Sequence, residues 1–143
     1  MSKSVNSIFL FFILVTQFLQ SQESPIANDD IASVIQNNQL IVSAPGILNN
    51  DTDADGELLS VINFQINSAN FSVGKSVFLP EGNITIQADG GFRFIPATNF
   101  LGAFPTINYT ITDGTFTSSA NLTITVILPP TPPLAVDDSN ITE

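Results

Sequence analysis

Cysteine, histidine and tryptophan are absent from this 143-residue chain, and lysine and arginine together number only 3. Without cysteine, no disulfide can hold the fold together. Without histidine, the usual zinc ligand and general base is missing, and we expect no enzyme because neither a nucleophile nor a base can be identified. The 13 acidic residues give a net charge of −10, so we expect neither nucleic acid nor anionic lipid as a partner.

Residues 1–21 have the composition of an export signal, which we predict to be helical. Lys3 provides the positive start, and an apolar run from Ile8 ends near Leu19. This run is shorter than the ~20 residues of a typical membrane span, and polar residues follow it, so we predict cleavage near Ser21 and no membrane insertion afterwards. A retained single anchor is the alternative. The mature chain is then expected to be extracellular or displayed on the cell surface.

Beyond the signal, apolar residues alternate with period two, which predicts an all-β chain. Two hairpins stand out, one over residues 83–94 that turns at Asp89-Gly90-Gly91, and one over residues 107–128 that turns at Asp113-Gly114. Further strands, with bulges where the alternation is irregular, are predicted at 31–35, 40–42, 58–66 and 77–79. About seven short strands in ~100 residues predict an immunoglobulin-like antiparallel β-sandwich, with a small closed barrel as the competing fold.

A proline-rich stretch, residues 129–133, marks the end of the predicted domain. Its prolines cannot donate backbone hydrogen bonds, and they favour an extended linker. Beyond it, Leu134-Ala135-Val136-Asp137-Asp138 matches Ile26-Ala27-Asn28-Asp29-Asp30 in register, about one domain length later. We therefore predict one β-sandwich over residues 24–128 and the start of a second, truncated repeat over residues 134–143.

The most acidic segment is Asp51-Thr52-Asp53-Ala54-Asp55-Gly56. Its three carboxylates on alternate residues repel one another unless a hard cation such as Ca²⁺ lies between them. The spacing begins like an EF-hand loop, but Ile62 stands where the closing bidentate glutamate belongs and a strand follows, which excludes an EF-hand. A turn whose Asp and Asn side chains bond their own backbone is the alternative to a metal site.

Successive strands of an antiparallel sandwich run in opposite directions, and this alternation, which we call strand parity, brings three acidic segments to one end. If the first strand leaves that end and the second returns, the loop 51–55 lies beside Asp29 and Asp30. The turn before the last strand then places Asp113 at the same end. Because calcium takes about six to eight oxygen ligands, the predicted ligands are Asp51, Asp53 and Asp55 first, then Asp29, Asp30 and Asp113, with Asn50 or Glu57 as helpers.

Five ordered motifs resemble the bacterial cadherin-like tandem repeats of large surface adhesins. They are Ala27-Asn28-Asp29-Asp30, residues 44–56, Gly91-Phe92-Arg93-Phe94-Ile95-Pro96, Asn99-Phe100-Leu101-Gly102, and Tyr109-Thr110-Ile111-Thr112-Asp113-Gly114. The resemblance implies an immunoglobulin-like fold and an exported calcium-binding repeat, serving adhesion or acting as a calcium-stiffened spacer. Its implied partners are calcium ions, neighbouring repeats of the same chain, and a cell-surface protein or glycan.

The chain departs from the pattern of this family in two places. Ala103-Phe104-Pro105 stands where the family usually has an acidic residue, so a ligand or turn there is not expected to follow the family. The chain also stops just inside a second repeat, whereas chains of the family usually hold several repeats, so we expect it to be a fragment of a longer surface protein.

A carbohydrate-binding β-sandwich module is the alternative function. Its stacking surface would be the aromatic side chains Phe92, Phe94, Phe100, Phe104 and Tyr109. Alternate strand residues share one face of a sheet, however, and large aromatic residues on one face are usually buried. We therefore expect these aromatic residues in the core.

Overall fold

The computed structural model describes residues 21–133 as an all-β fold. Its ten strands are β1 (Asp30–Ile35), β2 (Leu40–Val42), β3 (Ser60–Ile66), β4 (Ala69–Ser72), β5 (Ser76–Leu79), β6 (Gly82–Ile86), β7 (Phe92–Pro96), β8 (Gly102–Ala103), β9 (Ile107–Thr112) and β10 (Thr117–Ile127). A short 3-10 helix, Gly46–Leu48, follows β2. In this part of the chain no helix is long and apolar enough to cross a membrane. The predicted signal peptide up to residue 20 and the predicted second repeat lie outside the described residues.

The strands form two sheets that face each other as a β-sandwich. The larger sheet has six strands in the order β1-β10-β9-β3-β4, with β8 also paired to β10. The smaller sheet has four strands in the order β2-β7-β6-β5. All strand pairs are antiparallel except β1 with β10, which is parallel. The sequence-based prediction of an all-β sandwich is confirmed, and two short strands, β4 and β8, were not predicted.

Both predicted hairpins are present, as β6–β7 and β9–β10. A predicted bulge is also found: the pairing of β3 with β9 shifts register between Val61 and Asn63. Ile62, the extra residue, is 41% exposed while Val61 is buried. A bulge shifts the period-two alternation by one position. The apolar residues before and after it along β3, Val61 and Phe64, therefore both face the core.

The core lies between the two sheets and is made of the alternating apolar residues of both. Phe94 and Phe104 pack edge to face with ring centroids 4.8 Å apart. Phe92 and Tyr109 are also buried, and Phe100 packs against the core from its margin. Four of the five aromatic residues considered for carbohydrate stacking are therefore core residues, as predicted, and the fifth, Phe100, packs against the core, so the five do not form an exposed strip.

One end of the sandwich, which we call the acidic tip, collects the chain segments that carry most of the carboxylates. It consists of the leading segment (residues 22–29), the acidic loop (residues 49–57) and the turn of residues 113–116. β1 starts at this end beside β10, and the end of β9 is paired with the start of β10 there, Thr112 opposite Thr117. β3 also starts at this end, with Ser60 opposite Thr112. The convergence predicted from strand parity is present in the fold.

Candidate metal centre

The acidic loop is held at its start by two glycines that touch. The N–H of Ile47, a fully buried residue of the 3-10 helix, donates to the carbonyl of Gly90 at 3.0 Å. Gly46 and Gly90 have φ of +55° and +81°, which favours glycine, and a Cβ on Gly46 would lie 2.0 Å from the Gly90 oxygen. The turn between β6 and β7 thus fixes where the acidic loop begins.

The leading segment is bonded to the acidic loop along most of its length. Ile26 and Thr52 exchange two backbone hydrogen bonds of 2.8 and 3.0 Å. The Asn28 N–H donates to Oδ1 of Asp51 at 2.7 Å, and the Asn28 side chain donates to the carbonyl of Asn50 at 2.8 Å. One oxygen of Asp51 is therefore used to hold the leading segment, while Asn50 contributes a carbonyl and a side-chain amide to the same contact.

Asp53 shapes the loop around its own side chain. Its Oδ1 accepts from the N–H groups of Asp55 at 2.9 Å, Gly56 at 2.9 Å and Glu57 at 3.3 Å. Desolvation raises the pKa of Asp53, but the hydrogen bonds from Glu57 and from these backbone groups outweigh it, and the net pKa is lowered. The turn chemistry anticipated for an Asp-rich loop is present, and it uses only one of the two oxygens of Asp53.

Asp53, Asp55 and Glu57 form a cluster in which one carboxylate oxygen of each lies within 4.8 Å of the others. The pKa of Glu57 is raised, chiefly by its side-chain hydrogen bond to Asp53, then by desolvation and by the charges of Asp53 and Asp55. Like charges this close favour either a shared proton or a cation. This group of acidic residues could hold a metal ion.

Four carboxylate oxygens at the tip are buried and accept no hydrogen bond from any described residue. They are Asp51 Oδ2, Asp53 Oδ2, Glu57 Oε2 and Asp113 Oδ2. A carboxylate oxygen that is shielded from water and has no partner is unfavourable, so native proteins rarely keep several of them. Three of the four residues, Asp51, Asp53 and Glu57, also line a cleft of about 620 Å³.

Tyr109 connects this acidic group to the core. Its ring is fully buried, and its hydroxyl lies 2.8 Å from Asp30 Oδ2, 2.8 Å from the Asn28 carbonyl and 3.3 Å from the Ile47 carbonyl. Desolvation raises the pKa of Asp30; the bond from Tyr109 lowers it, and the charges of Asp51 and Asp29 raise it again. Burial likewise raises the pKa of Asp51. The first strand, the acidic loop and β9 therefore meet at one phenolic hydroxyl.

The two outer acidic residues bond mainly to backbone. Oδ1 of Asp29 accepts from the N–H of Asn121 at 2.8 Å, which ties the leading segment to β10. Oδ1 of Asp113 accepts from the N–H groups of Thr115 and Phe116, both at 2.6 Å, which closes the turn before β10. The second oxygen of Asp113 remains among the four without a partner.

The structure therefore regroups the predicted ligands. Asp53 and Asp55 lie together, and Glu57, which the sequence suggested only as an additional ligand, belongs to the same cluster. One oxygen of Asp51 instead accepts a hydrogen bond from the leading segment. Asp30 is paired with Tyr109, which sequence reasoning assigned to the core alone. A signal for Tyr109 was available, since a buried tyrosine hydroxyl needs a hydrogen-bond partner and its strand ends beside Asp113.

Residues 22–127 match the model of the bacterial cadherin-like domain family. No curated protein matches the chain. The solved structures that it matches include a nucleoside hydrolase-related hypothetical protein from Saccharophagus degradans associated with carbohydrate metabolism, at 11% identity and a TM-score of 0.46, covering 75% of this chain and 26% of that one. The endo-fucoidan hydrolases MfFcnA4 and MfFcnA9 of glycoside hydrolase family 107 match at 16% and 14% identity with TM-scores of 0.42 and 0.36. Each covers 71% of this chain, which spans 13% and 15% of their lengths.

Proposed function

Since the chain belongs to the bacterial cadherin-like domain family, we propose that its acidic tip binds calcium and that the domain is a calcium-stiffened repeat of a surface protein. The observation that carries this proposal is the set of four buried carboxylate oxygens without a partner, beside the Asp53, Asp55 and Glu57 cluster. A cation held by this cluster would give Asp53 Oδ2 and Glu57 Oε2 the partner that they lack.

The donor set fits calcium better than other metals. All candidate ligands are oxygens, and the chain has no cysteine or histidine, which zinc and copper prefer. The carboxylates sit on an irregular loop with unequal backbone roles, which suits the flexible coordination of Ca²⁺ more than the strict octahedron of Mg²⁺. In this proposal Asp53, Asp55 and Glu57 hold the ion, and Asp51 and Asp113 provide further oxygens.

A bound ion would supply positive charge to the acidic tip, whose three segments contain no lysine or arginine. The loop carboxylates also accept hydrogen bonds from the leading segment, through the N–H of Glu23 to Asp55 and the side chain of Gln22 to Glu57. Neutralising and fixing these carboxylates would hold the leading segment on the loop. The same chemistry at the start of a following repeat, where Asp137 and Asp138 lie in the sequence, would stiffen a tandem array.

We further propose that the domain is exported and serves adhesion, or spaces an adhesive domain from the cell surface, with neighbouring repeats and a cell-surface protein or glycan as partners. A cadherin-like domain supports a role as a repeat of a surface protein. No observation favours the carbohydrate-binding alternative, because its candidate aromatic residues lie in the core or pack against it. A catalytic role is not proposed, since the tip offers carboxylates but no identified nucleophile.

Calcium binding is tested by calorimetric titration of the full chain, together with thermal melting in calcium and in chelator. An ion that binds only the folded state stabilises it by about 2.7 kcal/mol when free calcium is about a hundredfold above the dissociation constant. Asp53→Asn should remove most of this difference. Glu81→Gln, a charge change away from the tip in the turn between β5 and β6, should leave it intact. Equal melting of the native chain in calcium and in chelator, with no heat of binding, would refute the proposal.

A further inference from the structure

The first and last strands of the sandwich lie side by side and run in the same direction. β1 pairs with β10 over six positions, from Asp30 opposite Leu122 to Ile35 opposite Ile127. Because the pair is parallel, the chain arrives at the acidic tip and leaves at the opposite end. A pull on the two chain ends therefore acts along these two strands in opposite directions.

Hydrogen bonds extend this contact beyond the paired strands on both sides. Ahead of β1, the Ala27 N–H donates to Oγ of Ser118 at 3.1 Å, and Asp29 accepts from the Asn121 N–H at 2.8 Å. After β1, the N–H of Gln36 donates to the carbonyl of Ile127 at 2.8 Å. The segment from residue 27 to residue 36 is thus attached to β10 along its full length.

This geometry determines how the contact fails under tension. The hydrogen bonds of a parallel pair are evenly spaced and run at a slant between the strands, so a pull along the strands loads all the bonds together. A pull at one end only would open the same bonds one after another. β10 is also held by β9 on its other side, and Val34, Ile124 and Val126 are buried in the core, so sliding β1 along β10 would displace core side chains as well.

We propose that this domain is a tension-bearing unit whose resistance lies in the β1–β10 pair. The leading segment precedes β1 and must be pulled off the acidic loop before force reaches the pair. Its bonds end on Asp51, Asp55 and Glu57, so an ion held by these carboxylates raises the force needed to detach it. This second step rests on the proposed calcium site; the first rests on strand pairing alone.

The test uses the absence of cysteine in the chain, which allows handles to be attached at two introduced cysteines. Ser21→Cys with Leu128→Cys pulls the domain along β1 and β10, with the whole leading segment under load. Ser21→Cys with Thr115→Cys pulls from the tip alone and peels β1 from β10, and it is the matched control. In single-molecule force spectroscopy at one loading rate, we expect the first pair to unfold at a force at least about twofold higher, since forced unfolding reports the unfolding barrier. Equal forces in the two directions, with equal urea midpoints, would overturn the proposal.

The calcium step is tested on the Ser21→Cys, Leu128→Cys protein, with ion binding measured by calorimetry on the same variant. We expect a higher unfolding force in calcium than in chelator. If the ion binds and the force does not change, the calcium step is wrong while the calcium site stands. If no ion binds, the proposed function and the calcium step both fail, and the difference between the two pulling directions still decides the first step.

Discussion

The Tyr109 hydroxyl lies 2.8 Å from the Asp30 carboxylate and is surrounded by acceptors, although it has a single proton to donate. This contact joins a core residue of β9 to the first residue of β1 and to the carbonyl that precedes Asp29. It makes the acidic tip an extension of the core, so that changes in the core and changes in the tip are expected to affect each other.

Removing that hydroxyl should destabilise the domain. Tyr109→Phe keeps the buried ring but removes the phenolic proton that Asp30 accepts, at a cost of about 1–3 kcal/mol. Urea unfolding followed by circular dichroism measures the change. Thr123→Val, which also removes a hydroxyl from the larger sheet but on its outer side, is the control. A loss no larger than that of the control would show that the hydroxyl does not support the tip.

Alkaline titration should find Tyr109 unreactive in the folded state. Burial, and then the hydrogen bond to Asp30, raise the pKa of this phenol well above its ordinary value. It is the one tyrosine of the chain, so ultraviolet absorbance reports it directly. Because the folded state holds the proton more tightly than the unfolded chain, stability is lost as the pH rises above about 10. We expect tyrosinate to form together with unfolding; tyrosinate formation near pH 10 in a chain that is still folded would contradict the buried hydroxyl.

Stability in chelator should increase on mild acidification. Desolvation raises the pKa values of Asp30 and Asp51, so the stabilisation from these groups is present at low pH and is lost as the pH rises through their folded-state pKa values. Asp53, whose pKa is lowered, acts in the opposite direction. We expect the urea midpoint in chelator to rise as the pH falls from neutral toward the ordinary aspartate pKa of about 4, and Asp30→Asn to reduce that rise. In calcium the trend should reverse, because protons compete with the ion. A chelator midpoint that falls steadily over this range would contradict the prediction.

The contact between Gly46 and Gly90 should tolerate no side chain. Gly46→Ala imposes a left-handed residue, at about 1–2 kcal/mol, and an overlap with the Gly90 carbonyl that adds about 1–3 kcal/mol. Gly74→Ala has a similar φ of +74° but only an ordinary contact at 3.7 Å, so it isolates the backbone cost. Chemical denaturation of both variants should show a clearly larger loss for Gly46→Ala. Equal losses would mean that the loop moves away from the turn at little cost.

Calcium affinity should depend on Glu57 as strongly as on Asp55. Both residues belong to the carboxylate cluster, whereas one oxygen of Asp29 is bonded to β10 and Asp29 is not part of the cluster. Glu57→Gln and Asp55→Asn should each weaken binding roughly tenfold or more, since the charge and number of ligands set calcium affinity. Asp29→Asn should have a smaller effect. Calorimetric titration gives the ranking, and a stronger effect of Asp29→Asn would move the site toward the leading segment.

Sequence pattern predicted most of the fold because most strands have one buried face. Alternation identified both hairpins and the long last strand, where Leu122, Ile124 and Val126 face the core. It missed β4, in which only Phe71 packs against the core, and β8, which has two exposed residues. Beyond the two hairpins it gave no information on pairing partners, since the parallel contact of β1 with β10 depends on residues far apart in the chain.

The candidate site was predicted in its position but not in its composition. Counting strands placed the loop beside Asp29 and Asp30. The argument needs only the direction in which each strand runs, and in an antiparallel sandwich that direction alternates from one strand to the next. Which oxygen remains free depends on hydrogen bonds that sequence spacing does not specify. Oδ1 of Asp53 accepts hydrogen bonds from three backbone N–H groups, and Oδ1 of Asp51 accepts one from the Asn28 N–H. The third carboxylate of the cluster is therefore that of Glu57 and not that of Asp51.

The central place of β10 also determines the order in which the domain can fold. This strand is the last of the sandwich to be synthesised, yet it pairs with β1, β8 and β9 and carries four core residues. Until it emerges, β1 has no neighbour in its sheet, and the contact that joins the two ends of the domain spans nearly its whole length. Closing so long a loop is slow. We therefore expect the core to stay incompletely packed during synthesis and the fold to be completed in one late step, when β10 pairs with β1.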